Sequence, residues 1–122
     1  MSTLKVTNIQ ATGETASRAV SGVAAAWVNF NQDSSIGINY SFNVSSWVDD
    51  STGRATTTLT NAMAAAEQPC SSSATTQSSL SLNYSNGAFM DTASTINFER
   101  ENSSGSAHDG DNISVLANGD LA

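Results

Sequence analysis

An antiparallel all-β domain, a β-sandwich or jelly-roll-like fold, is what this sequence predicts, on three observations. Ile36, Ile38, Tyr40, Phe42 and Val44 recur at every second residue, with Asn39, Ser41, Asn43 and Ser45 between them. That is the period of an extended strand with one apolar and one polar face. Shorter alternations return at Leu80-Leu82-Tyr84, Ile96-Phe98 and Ile113-Val115, among runs rich in Ser, Asn, Asp and Gly. Charged residues make up only 12% of the chain, well under the usual share. A chain this poor in charge and rich in Ser, Thr and Asn suits β-structure.

Taken in order, Leu4, Val6 and Ile9 mark a short first strand in TLKVTNIQ, with Lys5 and Thr7 on its other side. ATGETASRAVSG breaks the alternation between Gly13 and Gly22, and Thr12 or Thr15 is placed to cap a helical turn. A short helix and an irregular linker both fit. Residues 1–23 therefore read as an N-terminal strand with an attachment or linker segment, and residues 24–122 as the β domain. In AAAWVNFN, Trp27 falls on one face and Val28 with Phe30 on the other, which asks for a strand covered on both sides. QDSSIG reads as a turn. The alternating strand follows and runs to about Val48, a turn spans Asp49 to Gly53, and ATTTLTNAM returns the chain. These three strands make a meander.

Pro69, within EQPCSSSATTQSS, predicts a long exposed connection or an edge strand that tolerates proline. Asn86-Gly87 is the strongest tight-turn dipeptide in the chain, since both residues accept positive φ, so the return strand is expected from Phe89 onward. Ile96 and Phe98 share one face of a further strand, ENSSGSAHDGDN reads as a mobile polar loop, and Ile113 and Val115, with Leu116, form the last strand.

The net charge of −7 leaves Lys5, Arg18, Arg54 and Arg100 as scattered cations, with no basic stripe to neutralise phosphates. Nucleic acid is thereby excluded as a partner. No apolar run is long enough to span a membrane as a helix, and MSTLKVTNIQ lacks the pattern of an export signal. The single Cys70 rules out an intrachain disulfide and multi-Cys zinc sites, leaving an idle thiol or a link between chains. Large side chains are few, with 4 Phe, 2 Trp and 2 Tyr. A core this thin leads to the expectation that identical chains complete one another's interior.

Little in the sequence proposes chemistry. His108, Asp109 and Asp111 are bunched on one loop, whereas a catalytic triad needs its members held by separate rigid elements. Asp49-Asp50 and Glu99 with Glu101 give no opposed acid pair. Asp109, Asp111 and Asn112 have the spacing of oxygen ligands in a calcium loop but lack its remaining carboxylates. No catalytic, cofactor-binding or metal residue is expected. The Asn-X-Ser triplets at Asn39, Asn43, Asn83, Asn102 and Asn112 are products of an Asn/Ser-rich chain. Trp27, Tyr40, Trp47 and Tyr84 are the side chains able to stack on sugar rings. Tyr40, in phase with apolar neighbours, is expected in the core, and Trp47, in phase with Asn43 and Ser45, at the surface. Trp47 and Trp27 are the candidate subunit-interface or receptor contacts.

AWVNFN at 26–31, SFNVSS at 41–46, an Asp-rich turn closing on Thr52-Gly53 and a Thr-rich strand ending in TNAM at 60–63 form an ordered set. The set resembles a recurring module of bacteriophage tail-fibre and related virion proteins. The opening STLKVTNIQ and the late Gly119-Asp120 are also similar to small marine-phage proteins of this kind. AAAEQPC at 64–70 departs from the family, which continues there with an aromatic and a strand. The resemblance implies a non-enzymatic, homotrimeric virion structural protein, a tail-fibre or fibre-tip subunit acting in host attachment. Its alternative is a capsid decoration (cement) protein. The implied partners are identical subunits, other virion proteins and a host cell-surface receptor. The implied location is the virion, after synthesis in the host cytoplasm, with no cofactor. The shared motif marks a scaffold and carries over no site residue.

Overall fold

A computed structural model describes residues 8–9, 18–19, 24–75 and 84–122, which form antiparallel strands and no helix. β1 (Asn8–Ile9) pairs with β2 (Arg18–Ala19). The other eight strands are β3 (Ala24–Asn31), β4 (Gly37–Phe42), β5 (Val44–Ser51), β6 (Arg54–Leu59), β7 (Cys70–Thr75), β8 (Tyr84–Thr92), β9 (Thr95–Asn102) and β10 (Asp111–Asn118). They build two four-stranded sheets, ordered β4-β3-β10-β7 and β5-β6-β9-β8. The sheets pack face to face as a β-sandwich, so the predicted fold class holds.

The core follows from alternation in the central strands. Val28 lies opposite Val115 and Phe30 opposite Ile113 across β3 and β10, and all four are buried. In the second sheet Ala55 pairs with Phe98 and Thr57 with Ile96, again all buried. Phe30 joins the layers: its ring centroid is 5.0 Å from that of Trp47 and 5.5 Å, edge-on, from that of Phe98. Aromatic pairs at such separations add about 1 kcal/mol beyond area burial. One continuous apolar cluster thus fills the sandwich. Residues of both sheets contribute to this cluster within the single chain.

The long alternating stretch is corrected, from one strand to two. At Asn43 the backbone turns left-handed, φ 58°, and the chain leaves the first sheet as β4 to enter the second as β5. Asn is among the few residues that adopt this region readily, through local hydrogen bonds of its side chain. The Asn43 amide donates to the carbonyls of Ala25 and Asn61, and its Oδ1 accepts from the Asn61 backbone N–H.

One further correction concerns a turn. Asn86 and Gly87 lie within β8, opposite Arg100 and Glu99, and the reversal falls instead between Thr92 and Thr95, whose hydroxyls are 2.7 Å apart. Of the two readings for the run at Pro69, the edge strand is the one the structure shows, as β7. Expectations for residues 1–7, 10–17 and 20–23, and for Leu80 and Leu82, lie outside the described residues.

One end of the sandwich is closed by polar groups. Arg100 is buried and donates from Nη1 to the carbonyl of Asp109 at 3.1 Å. Gln32 donates to Asp49 and to the Arg54 carbonyl, and Asp111 accepts from the backbone N–H and hydroxyl of Ser34. Hydrogen bonding of this density is what makes buried polar groups tolerable.

Candidate functional site

The side chains that the core does not use define the site. From β3, Trp27 and Asn29 point away from the second sheet, and their cross-strand partners do the same. Asn29 faces Tyr40 of β4 and Ser114 of β10; Trp27 faces Phe42 and Leu116. Ser73 and Ser71 of β7 continue the rows opposite Ser114 and Leu116. The outer face of this sheet is a trough of about 530 Å³, lined by Trp27, Asn29, Tyr40, Ser71, Ser114 and Leu116 among others. Among the described residues its lining holds no Asp, Glu, Lys, Arg or His.

The floor is ordered by a relay of side-chain amides. Asn39 donates to Asn29 Oδ1 at 2.8 Å, and Asn29 donates from Nδ2 to Ser114 Oγ at 2.9 Å. A register shift on β4 makes this possible, because Tyr40 pairs with Asn29 and Ile38 with Phe30, leaving Asn39 as the extra residue. Such a bulge redirects one side chain. Here it puts Asn39 on the same face as Asn29.

The two candidate tryptophans separate. Trp27 is 39% exposed, at the trough, so the strand expected to be covered on both sides is open on its outer face. Trp47 was expected at the surface but is half-buried against Phe30, its Nε1 buried without a hydrogen-bond partner among the described residues. The reason is a second register shift: Val44 pairs with Leu59 and Ser46 with Thr58, so Ser45 is extra and the phase of β5 is reset. Tyr40 is corrected in the opposite sense, from the core to 73% exposed. The side chain of Tyr84 lies outside the described residues.

The acidic loop does not assemble a site. Asp109 accepts from the Gly53 N–H at 2.6 Å, Asp111 is engaged by Ser34, and the Asn112 N–H donates to Asn31. Among the described residues no group of three or more His, Cys, Asp or Glu is placed to hold a metal ion. Asp49 and Asp50 lie in β5, not in a turn, and serve different partners, Gln32 and Thr56. Glu99 sits 3.4 Å from Arg54 on the outer face of the second sheet, an exposed pair of small energetic weight. Burial pushes the Cys70 thiol above its ordinary pKa, which lowers its thiolate content and its reactivity.

No helix among the described residues is long and apolar enough to cross a membrane. No family model matches the chain, and no curated protein or solved structure matches it either.

Proposed function

We propose that this chain is a non-enzymatic bacteriophage virion structural protein, a homotrimeric tail-fibre or fibre-tip subunit that contributes to host attachment. The class rests on the resemblance carried by residues 26–31, 41–46 and 60–63. One observation supports assembly: edge strand β4 leaves Ile38 and Phe42 40% and 52% exposed, and Ile36, just ahead of it, is 61% exposed. GINYSF also has neither charge nor proline, the usual guards of a sheet edge.

A ring, unlike a two-fold pair, uses both edges of this sheet. β4 and β7 end the same sheet, and neither carries a charged residue. Pairing β4 with β4 gives a dimer, whereas setting β4 of one copy against β7 of the next is a heterologous contact, which gives a ring when its rotation closes. Three copies closed this way hide the apolar edge.

Electron microscopy of intact particles with this chain labelled tests the placement. Label confined to the tail is expected. Label spread over the shell at the copy number of the capsid lattice would replace the fibre reading with decoration.

A further inference from the structure

We infer that the trough on the outer face of the first sheet binds a neutral oligosaccharide, with Trp27 and Tyr40 as stacking platforms and Ser114 as a fixed donor. The inference rests on the host-attachment part of the reading above and names the ligand class for it. A pyranose ring has apolar C–H faces and a rim of hydroxyls, so its site needs flat aromatic surface beside small hydrogen-bonding groups. Trp27 and Tyr40 supply the first. Asn29, Ser71, Ser73 and Ser114 supply the second.

The relay on the floor adds direction. Asn29 gives its amide hydrogen to Ser114 Oγ and takes one from Asn39 on its carbonyl oxygen. With Ser114 Oγ already accepting, its own proton is available to point into the trough. A volume of about 530 Å³ lies within the range of small-ligand sites and has room for a short oligosaccharide rather than one ring. Charge selects among glycans: an uncharged trough on a chain of net charge −7 offers acidic sugars no cation and a repulsive field. The remaining candidate occupant is a second copy of this chain. Against it, the apolar row of Phe42, Trp27 and Leu116 is flanked by the polar groups of Asn29, Ser114, Ser71 and Ser73, which a protein core would have to bury, whereas exposed apolar side chains also line the free edge at β4.

Titration of the whole chain with neutral hexasaccharides of glucose, mannose, galactose and N-acetylglucosamine tests this, with oligogalacturonate as the acidic control. Tryptophan emission is a direct readout, since Trp27 lines the trough and Trp47 is packed in the interior. At least one neutral sugar is expected to bind and the acidic one not. Trp27→Ala and Tyr40→Ala should each weaken binding about tenfold or more, about 1.4 kcal/mol, at unchanged circular dichroism and unchanged solution mass. Silence from all four neutral sugars overturns the inference, as does binding that Trp27→Ala leaves intact. A fall in solution mass on Trp27→Ala also overturns it, by making the trough a subunit contact. Failure here is separable from failure of the assembly reading. A monomer that binds sugar refutes the trimer alone, and a trimer that binds none refutes the glycan site alone.

Discussion

Asn43 and Asn61 clasp each other across the corner where the chain changes sheets. The Asn61 backbone N–H donates to Asn43 Oδ1 at 2.8 Å, and Asn43 Nδ2 donates back to the Asn61 carbonyl at 3.1 Å. The same amide also holds the Ala25 carbonyl at 3.0 Å, so one side chain ties β3, the β4-β5 corner and the end of β6. Asn43 is thus a joint of the scaffold.

Asn43→Ala removes these bonds and places an alanine at φ 58°. The expected loss is about 2–4 kcal/mol, from unsatisfied backbone groups and the left-handed penalty together. Asn43→Gly keeps the backbone freedom and should lose less. Urea denaturation of the two variants separates the terms, and equal losses would assign the whole effect to the side chain.

Two glycines make opposite predictions. A Cβ at Gly110 would land on the buried guanidinium of Arg100, so Gly110→Ala should cost about 1–3 kcal/mol. A Cβ at Gly87 meets nothing within 4 Å on a backbone of ordinary φ, so Gly87→Ala should be neutral or stabilising by up to about 1 kcal/mol. Thermal melts of both variants check this. A strongly destabilised Gly87→Ala would restore the tight turn that Asn86-Gly87 suggests in the sequence.

Cys70 gives a pH dependence. Its pKa is raised in the folded chain, so below the ordinary thiol value both states are protonated and the group contributes nothing that changes with pH. As pH rises above that value the unfolded thiol ionises first, and stability falls until the folded thiol follows. Cys70→Ser should flatten this alkaline part of the stability curve. Alkylation of the native thiol should also be slower than in denaturant at the same pH, and equal rates would contradict the burial.

The strands were legible where alternation ran unbroken. Val28 with Phe30, Ile96 with Phe98 and Ile113 with Val115 read correctly as strand pairs, because the alternation holds between the two members of each pair, and all six prove buried. Alternation gives two faces and does not say which is inside. The longest apolar series, Ile36 to Phe42, therefore proved the most exposed, since it falls on an edge strand. Bulges at Asn39 and Ser45 reset the phase at residues with no sequence mark of a bulge, which exchanged Tyr40 and Trp47 between surface and core. Trp27 lies at the trough. The trough was not visible, because its serines come from β7 and β10, brought beside β3 only by the sheet order.

Assembly through the exposed β4 edge is the claim on which the proposed function turns, and the mass of the chain in solution tests it directly. Light scattering on the purified protein at micromolar concentration is expected to give three chain masses. Ile38→Lys, a charge placed on that edge, should give one. A wild-type protein that stays at a single chain mass, or that forms a dimer, would contradict the account.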